Sequence, residues 1–522
     1  MTGDTALTSN WQACLRRSWS FLRAHPDACA LLAVCLVALS FRLSFSLRVA
    51  PFVSKDSQSY FLPAWDLVHG GDFQLGLRRT PGYPAFLALC LMLFGEDLRG
   101  ITLAQHLLGA GTAALTCLLG RLTFGRLSGI VGGLLVGLSA PLLTYEHYLL
   151  TEAVFGFVLT AALVTLAAAW HRSSARLWLL GGLLVGLASL VRPIGQLLLP
   201  LGLLAAALVG PRQPRPALAR AGLVLAGFAI LVVPWTIRNQ LAYHLATAST
   251  FGRTLIARTA YYDHGFVFYD AERPPEDADP RRAPARRIVQ QGADRRESDG
   301  GIAQRLRQEL DLDPVEVNAI MRDVAIDAII RQPVHFVEGT LRFALRIFNG
   351  VEIRIRDHDN ERRDVVWEDR VRMLLVGGPQ SEDDFRAASR LLNWYQPARY
   401  APLQLVLFSV GLVAAVLVPA WRAGVLVGLA VVGLIVVSAA LDGPQERYRY
   451  PADPAIGVLA AGGVVAVGTF ARLALSRLRL ASPPSPLSHQ GRGGAHFPFP
   501  PAWGKGPGDG GRSGVRNRQA ER

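Results

Sequence analysis

The sequence predicts an all-α polytopic membrane protein with about ten transmembrane helices, because it contains a series of apolar runs near spanning length. Of its 522 residues, 51% are hydrophobic and 18% are charged, whereas soluble domains carry roughly 25% charged residues. The arginines behind the net charge of +14 lie at the ends of apolar runs, where membrane topology alone would place them. This distribution favours a membrane protein over a nucleic-acid-binding protein.

The first apolar run, 28–47, is predicted to be an uncleaved span that follows a cytoplasmic N-terminal segment, 1–27. A signal peptide has a similar plan, but Arg42 and Arg48 interrupt the end of this run and no small-residue cleavage motif follows. An arginine costs about 2.5 to 3.5 kcal/mol at the centre of a membrane helix. We therefore expect Arg42 near the outer interface or facing a partner inside the bundle.

The short apolar run 85–94 decides the topology. It has about ten apolar residues where a span needs about twenty, so we predict a re-entrant or interfacial helix. The remaining predicted spans are 98–120, 127–145, 150–170, 177–191, 194–210, 218–237, 402–420, 424–440 and 454–471. With this assignment the inside turns contain arginine and no acid, as the positive-inside bias requires.

Composition then divides the chain into successive parts. After the N-terminal segment come a membrane module at 28–238 with a first outer loop at 49–97, a large outer segment at 239–401, C-terminal membrane helices at 402–474 and a cytoplasmic tail at 475–522. The tail is rich in Pro, Gly, Ser and Arg and is predicted to be disordered. Within the outer segment, 270–301 is dense in proline and charge and is also predicted to be disordered. Helical apolar spacing returns at 314–330 and 333–348, so this segment is predicted to be a helical cap.

The same assignment collects unusual charges on the outer side of the membrane. They are Asp56, Arg79, Glu146, Glu152, Arg192, Arg238 and the Glu446–Arg447 pair. A single arginine at the end of a span is ordinary, but outer loops are usually depleted in arginine. A shared anion at the lipid boundary, such as a polyprenyl phosphate or pyrophosphate, would account for Arg192, Arg238, Arg447 and Arg449.

Asp56, in Ser-Lys-Asp-Ser-Gln-Ser-Tyr-Phe, lies shortly after the first span. As a general base it would accept a proton from an acceptor hydroxyl while a sugar leaves phosphate. Glycosidases need a second carboxyl group as an acid, but phosphate is already a good leaving group, so one carboxylate can suffice. The alternative is a solvated aspartate that caps a helix starting near Ser57.

Arg78 and Arg79 precede a Thr-Pro-Gly-Tyr-Pro turn that contains Tyr83. Paired guanidinium groups can bind a phosphate with fork geometry. Arginines at this position can equally extend their charged ends from the interface into water. The residues alone leave both alternatives open.

Glu146 and Glu152 flank the turn between two predicted spans. Glu152 begins the second span, where Thr151 is placed to cap the helix and the helix dipole favours a negative charge. Together with Asp56, Glu152 is alternatively a candidate ligand of a divalent cation, which prefers oxygen. His147 lies between Glu146 and Glu152, but one histidine with two carboxylates is weak support for zinc.

Several short motifs stand in a recognisable order. An aspartate soon followed by a tyrosine precedes Arg-Thr-Pro-Gly-Tyr-Pro at 79–84; then come an acid that begins a span, Pro-Trp-Thr-Ile-Arg-Asn at 234–239 and Glu-Arg-Tyr-Arg at 446–449. The chain thereby resembles the bacterial GT-C membrane glycosyltransferases. More narrowly, it is similar to the protein-O-mannosyltransferase and aminoarabinose-transferase branch (glycosyltransferase family 39/83-like), over residues 28–240 and 443–456.

The resemblance implies transfer of a sugar from a polyprenyl-phosphate donor on the periplasmic side of the bacterial inner membrane, usually with inversion. It implies that Asp56 is the catalytic base and Glu152 a second acidic site residue. It also implies that Arg79 belongs to the donor site and that Arg238 and Arg447 contact the donor or its phosphate. The full set of candidate donor or phosphate contacts is Arg78, Arg79, Tyr83, Arg192, Arg238, Arg447 and Tyr448. The chain departs from the aminoarabinose enzymes by having Arg79-Thr80 where they have Glu-Lys, which argues against a metal site there and against a lipid A acceptor.

Other functions use the same outer arginines. A transporter or flippase of lipid-linked sugars would bind the anion without chemistry, although the internal repeats and midplane charges typical of transporters are not apparent in the sequence. A catalytically silent assembly subunit is a third alternative. The sugar, the acceptor (glycan, lipid or protein) and the requirement for a divalent cation stay open.

Overall fold

The computed structural model describes residues 24–49, 51–71, 73, 75, 79–209, 214–243, 251–269, 280–352 and 390–481. Within these ranges the regular elements are helices, and extended pairing is limited to a bridge between Phe52 and Tyr148. The predicted all-α fold is therefore confirmed. Predictions for the tail beyond residue 481 concern residues outside these ranges.

The α-helices are numbered here in chain order. The first half contains α1 Pro26–Ser46, α2 Lys55–Val68, α3 Gly82–Phe94, α4 Leu98–Phe124, α5 Arg126–Gly137, α6 Ala140–His147, α7 Glu152–Arg172, α8 Ala175–Val191, α9 Leu198–Leu208 and α10 Pro214–Tyr243. The second half contains α11 Phe251–Ile256, α12 Arg282–Asp294, α13 Asp299–Leu310, α14 Pro314–Arg331, α15 Pro333–Asn349, α16 Ala401–Leu417, α17 Ala423–Leu441 and α18 Asp453–Ala481. A short 3₁₀ turn, Pro193–Leu197, joins α8 to α9.

Seven described helical stretches are long and apolar enough to cross a membrane. They are α1, α4, α7, α10, α17, the stretch Arg390–Leu417 that ends with α16, and Tyr450–Arg477, most of which is α18. Helices α5 and α6 are bent by 50° at Leu138–Ser139 and form an eighth candidate if they count as one broken span. The predicted spans at 177–191 and 194–210 correspond to shorter apolar helices, so the count by length is seven or eight rather than ten. Helix α3 has 13 residues, about 20 Å at 1.5 Å per residue, and is too short to span the bilayer, as predicted.

Small residues allow the membrane helices to pack closely. A Cβ on Gly182 of α8 would lie 2.1 Å from the carbonyl oxygen of Val224 on α10, and one on Gly227 would lie 2.3 Å from that of Leu179. Small residues at the interfaces of membrane helices let the backbones approach closely and increase their van der Waals contact. The apolar core that results contains residues of α2 to α4, α7 to α10 and α15 to α18.

Arg42 of α1 is completely buried and pairs with Glu146 of α6. Its Nε lies 2.7 Å from Glu146 Oε2, its Nη2 lies 2.8 Å from Oε1, and its Nη1 donates to the carbonyl oxygen of Gly137 at 2.7 Å. Of the two predicted environments for Arg42, the structure therefore has the partner inside the bundle. The Glu146 carboxylate is therefore engaged with Arg42, and none of the contacts named here joins it to Asp56.

The Arg42–Glu146 pair depends on a glycine of α4. A Cβ added to Gly109 would lie 2.2 Å from the carboxylate carbon and both oxygens of Glu146. Gly109→Ala should displace the carboxylate from Arg42, and breaking a buried ion pair typically costs about 3–5 kcal/mol. We expect a lower thermal unfolding midpoint in detergent. Gly222→Ala on α10, where a Cβ would meet nothing within 4 Å, is the matched control; equal midpoints for the two variants would refute this account.

Helices α11 to α14 form a second apolar cluster, with Phe268, Ile288 and Met321 among its buried members. The predicted disorder at 270–301 is wrong where the structure describes it, because α12 and the first part of α13 lie in this range. Charges that suggested disorder are paired across the helices: Arg282 with Asp323, and Arg286 with Asp327. Residues 270–279 lie outside the described ranges. The predicted helices at 314–330 and 333–348 are confirmed as α14 and α15.

Helix α18 ends at Ala481 rather than at 474. The predicted disordered tail therefore does not begin at 475, because its first seven residues continue the helix.

Candidate functional site

Asp56 lies in the first turn of α2, directly after the first loop. The helix begins at Lys55 rather than near Ser57, and its N-terminus is closed by Ser54 and Ser57: Ser57 Oγ accepts from the Ser54 amide at 2.9 Å. Serine is a favoured residue at this position because its oxygen satisfies an orphan backbone amide. Because Ser54 occupies the cap position, Asp56 is not the cap, contrary to the alternative considered for it.

The carboxylate of Asp56 lies between two guanidinium groups. Arg79 Nη2 donates to Asp56 Oδ1 at 2.6 Å, and Arg447 Nη1 donates to Oδ2 at 3.1 Å. These arginines are 23 and 391 residues away along the chain. The fold thus brings the first outer loop and the turn before α18 to one site, as the sequence predicts for Asp56, Arg79 and Arg447.

Two neighbours of Asp56 on α2 orient Arg79. Its Nε donates to Ser59 Oγ at 2.8 Å and its Nη1 to the Tyr60 hydroxyl at 2.7 Å, while its guanidinium carbon lies 4.0 Å from the centre of the Tyr60 ring. Residues three and four positions apart share one helix face, so Ser59 and Tyr60 stand beside Asp56. Neither residue was predicted as part of the site, although their spacing from Asp56 would have indicated it.

The segment after Arg79 docks on the end of α8. Thr80 Oγ1 donates to the Val191 carbonyl oxygen at 3.0 Å, and a Cβ on Gly82 would lie 2.7 Å from the Leu190 carbonyl oxygen. Only glycine permits this approach without a shift of the backbone. The residue that follows Val191 is Arg192, so the same docking brings Arg79 and Arg192 to the same region.

Tyr83 is fully buried behind the site. Its hydroxyl donates to Gln105 Oε1 at 2.8 Å, and its ring contacts the Tyr60 ring edge to face at 5.2 Å between centroids. Tyr83 therefore supports the Tyr60 ring from behind. The predicted direct contact between Tyr83 and the sugar donor would require the Tyr83 side chain to be more accessible.

Glu152, Arg192 and Tyr448 form the other half of the cluster. Arg192 Nη1 lies 3.1 Å from Glu152 Oε1, and its guanidinium carbon lies 5.0 Å from the centre of the Tyr448 ring. The guanidinium carbon of Arg447 lies 5.7 Å from the same ring. Tyr448 therefore contacts both arginines and connects the Asp56 half of the site to the Glu152 half.

Glu152 is the first residue of α7 and is almost completely buried. Thr151 occupies the cap position, but its hydroxyl lies 3.4 Å from Glu152 Oε2 and makes no capping hydrogen bond to the helix backbone. The predicted capping role of Thr151 is therefore wrong. The favourable position of Glu152 at the positive end of the α7 dipole is as predicted.

Burial and the neighbouring carboxylates shift the pKa of Arg447 in opposite directions, and the effect of the carboxylates is the larger. Burial alone would lower the pKa of the Arg447 guanidinium, but the carboxylates of Glu152 and Asp56 raise it above its usual range. Asp442 lies close by and accepts from the Tyr448 hydroxyl. Burial raises the pKa of Asp442, whereas Arg447 and Arg192 act in the opposite direction. The carboxylates of Glu152 and Asp56 therefore favour the charged form of Arg447.

Two further residues of the site were not predicted. Gln445 accepts from Arg447 Nε at 2.8 Å through Oε1, and its Nε2 donates to the Tyr262 hydroxyl at 3.3 Å. Burial raises the pKa of Tyr262, and the nearby Asp442 adds to the effect. Tyr262 comes from the segment between α11 and α12, a part of the chain whose sequence matched no motif.

The remaining predicted arginines have other surroundings. Arg238 donates to Asn239 Oδ1 at 3.1 Å and lies 4.9 Å above Trp235 on its own helix, so its role in donor binding stays a prediction. Arg449 is buried; it pairs with Asp453 at 2.8 Å and donates to the carbonyl oxygen of Asn349 at the end of α15. Arg78 lies outside the described residues.

The two candidate ligands of a divalent cation, Asp56 and Glu152, each pair with arginine side chains. Among the residues that the structure describes, no group of three or more His, Cys, Asp or Glu side chains is placed to hold a metal ion. Asp56 faces Arg79 and Arg447, and Glu152 faces Arg192. Guanidinium groups thus supply the positive charge beside both candidate ligands.

Comparison with known families adds an independent finding. Residues 78–237 match the family model described as dolichyl-phosphate-mannose-protein mannosyltransferase. The predicted resemblance to this branch of GT-C membrane glycosyltransferases is confirmed. The match to the mannosyltransferase family covers the segment from Arg78 to Ile237 in α10, which includes Arg79, Glu152 and Arg192. Asp56 and Arg447 lie outside the matched range.

The solved structures similar to this chain include an archaeal oligosaccharyltransferase and the bacterial protein ArnT. The oligosaccharyltransferase AglB of Archaeoglobus fulgidus, in complex with an inhibitory peptide and a dolichol-phosphate, is 12% identical, with a TM-score of 0.44 over 90% of this chain. ArnT of Cupriavidus metallidurans bound to undecaprenyl phosphate is 15% identical, with a TM-score of 0.36 over 89% of this chain and 82% of its own. The chain spans about half, 53%, of AglB. A search of the curated proteins gave no match.

Proposed function

We propose that this protein transfers a sugar from a polyprenyl-phosphate donor to an acceptor on the periplasmic side of a bacterial inner membrane, with Asp56 as general base. One observation carries the proposal: the Asp56 carboxylate sits between Arg79 and Arg447, and Tyr448 connects Arg447 to the Arg192–Glu152 pair. The mannosyltransferase family match supports a lipid-phosphate sugar as the donor class. The acceptor is a glycan, a lipid or a protein.

The arginines suit a phosphate at the membrane boundary. Each guanidinium has five N–H donors in a planar fork that matches phosphate oxygens. Arg447 uses Nη1 on Asp56 and Nε on Gln445, and Arg192 uses Nη1 on Glu152. Each guanidinium therefore has more donors than these contacts require, and the two guanidinium carbons lie 5.0 Å (Arg192) and 5.7 Å (Arg447) from the centre of the same Tyr448 ring. A lipid-borne phosphate bound between them would place its sugar near Asp56.

Asp56 can act as a base while it is held by arginines. A carboxylate has about four acceptor positions on its two oxygens, and the contacts with Arg79 and Arg447 fall on different oxygens of Asp56. In the proposal, the acceptor hydroxyl donates to one of these oxygens. In the reaction, the acceptor oxygen bonds to the anomeric carbon, the bond from that carbon to phosphate oxygen breaks, and Asp56 takes the hydroxyl proton. The arginines stabilise the negative charge on the departing polyprenyl phosphate.

Glu152 has a supporting part in this proposal. Its contact with Arg192 at 3.1 Å orients that guanidinium, and its charge adds to the retention of a positive charge on Arg447. The pattern of basic turns on the opposite side of the membrane supports a periplasmic site, since cytoplasmic loops carry the excess of arginine and lysine.

The experiment that tests the proposal compares cells with and without the gene. Polyprenyl-phosphate sugars and envelope glycans are analysed by mass spectrometry, and the leaflet of the donor is determined with a membrane-impermeant reagent. We expect the deletion strain to accumulate donor on the outer leaflet and to lack one sugar on an envelope acceptor. Donor confined to the inner leaflet would instead indicate a flippase and would overturn the proposal.

A further inference from the structure

We propose that a buried network centred on His147 positions the first loop so that Asp56 lies at the correct place relative to Glu152. The network consists of Arg42, His106, Glu146 and His147, which lie on α1, α4 and α6. None of its described contacts is with Asp56, so its members are positioning residues rather than catalytic ones. The inference rests on the proposed function of Asp56 and Glu152.

The side chains of the network form one continuous chain of polar contacts. His106 Nδ1 lies 3.2 Å from Glu146 Oε2, the oxygen that also accepts from Arg42 Nε. His106 Nε2 lies 2.9 Å from His147 Nδ1, and His147 Nε2 lies 3.1 Å from the Val49 carbonyl oxygen. Arg42, His106 and His147 are completely buried and Glu146 is 4% exposed.

One hydrogen-bond direction follows from the acceptor at the end of the chain. A carbonyl oxygen only accepts, so His147 Nε2 carries the proton in its contact with Val49. The contact of His147 Nδ1 with His106 Nε2 at 2.9 Å holds the other side of the ring. His106 thus fixes the ring orientation with which His147 holds the loop.

His147 also holds the loop through its backbone. The Phe52 amide donates to the His147 carbonyl oxygen at 3.0 Å, and the Leu149 amide donates to the Phe52 carbonyl oxygen at 3.0 Å. The Phe52 ring lies edge to face against the His147 ring, with 4.9 Å between centroids. His147 therefore binds both ends of the segment 49–52, with its imidazole at one end and its main chain at the other.

This connection has its consequence at the two acids. Asp56 follows Phe52 by four residues, and Glu152 follows His147 by five. The hydrogen bond between Phe52 and His147 therefore joins the segment that leads to Asp56 to the segment that leads to Glu152. A rigid support is valuable here because a misplacement of about 1 Å in a reacting group can cost a factor of about 100 in rate. Apolar residues often replace buried ion pairs without loss of stability, so stability alone does not require this network.

The test uses three variants of the full-length protein in lipid nanodiscs. His147→Ala removes both imidazole contacts, and His147→Gln keeps an amide donor that can reach the Val49 carbonyl. His171→Ala is the matched control: His171 also donates to a carbonyl, that of Leu122, at 2.9 Å, but at the far end of α7 from Glu152. Transfer rates are normalised to the fraction of protein that binds donor, so that misfolded protein does not lower the measured kcat.

For His147→Ala we expect kcat to fall by about 100-fold, with the donor KM within about threefold of wild type because the arginines of the site are unchanged. His147→Gln should recover part of the lost kcat, and His171→Ala should match wild type. Hydrogen exchange of peptides covering 49–53 should be faster in His147→Ala and unchanged in His171→Ala. If His147→Ala fails to insert into the membrane, His147→Gln carries the same comparison.

Equal kcat values for His147→Ala and His171→Ala would overturn the inference, as would a loss confined to the donor KM. Unchanged exchange at 49–53 in His147→Ala would also overturn it. The hydrogen-exchange measurement does not depend on transfer. If wild-type protein showed no transfer at all, the proposed function would fail, whereas faster exchange in His147→Ala would still support His147 as the support of the loop.

Discussion

Asp56→Asn is expected to reduce sugar transfer by about 100- to 10,000-fold, the range that general base catalysis contributes. Asparagine keeps the shape of the side chain but cannot accept the proton of the acceptor hydroxyl. Donor binding should persist, because both arginines keep contacts that do not involve Asp56. Arg192 contacts Glu152 and Tyr448, and Arg447 contacts Gln445 and Tyr448. The measurement is the rate of label transfer by purified protein, together with donor affinity by titration.

Asp27→Asn is the matched control for this substitution. Asp27 is also an aspartate held by two arginines, with Arg121 at 2.6 Å and Arg126 at 2.7 Å. Its side chain is 24% exposed, close to the 22% of Asp56, but it lies at the other end of α1 from the loop that leads to Asp56. We expect near wild-type transfer by Asp27→Asn. Normal transfer by a correctly inserted Asp56→Asn variant would rule out Asp56 as the base.

Arg447→Gln is expected to raise the donor KM by about 10- to 100-fold, since hydrogen bonds to charged groups contribute about 1.5–3 kcal/mol. The substitution removes the charge that the donor phosphate is proposed to meet and one of the two partners of Asp56. Arg447→Lys should be intermediate, because lysine keeps the charge but lacks the planar fork.

The control for Arg447→Gln is Arg281→Gln. Arg281 forms an exposed pair with Glu316, with side chains 50% and 43% exposed, and such pairs contribute about 0–1 kcal/mol. Its substitution should leave the donor KM unchanged. A donor KM for Arg447→Gln equal to that of Arg281→Gln would exclude Arg447 from the donor site.

The sequence could predict which residues form the site because membrane topology restricts where charges lie. Asp56 and Arg447 are 391 residues apart. Asp56 follows the first predicted span and Arg447 precedes the last one, both on the same predicted side of the membrane, and this restricts both residues to one narrow layer. Short motifs added Arg79 and Glu152, and the unusual charges at the outer ends of the spans added Arg192. Each of these residues lies in the cluster that the structure describes.

The rest could not be predicted, because it depends on contacts between distant segments. The partner of Arg42 is Glu146, 104 residues away, and nothing in the local sequence distinguishes this pair from an arginine at the interface. The helices at 282–310 are polar in composition, and their burial depends on apolar residues and acids supplied by α14. Tyr83 was predicted from its motif as a donor contact, but its position is determined by Gln105 and Tyr60.

The central claim is that the carboxylate and guanidinium groups around Asp56 perform transfer from a lipid phosphate. The most direct measurement supplies wild-type protein in nanodiscs with a polyprenyl phosphate carrying a radiolabelled sugar and with acceptor-containing envelope material. We predict that label moves to the acceptor, with one unsubstituted polyprenyl phosphate released for each sugar transferred. Label that stays on the lipid, although the protein binds that lipid or moves it between leaflets, would contradict the account.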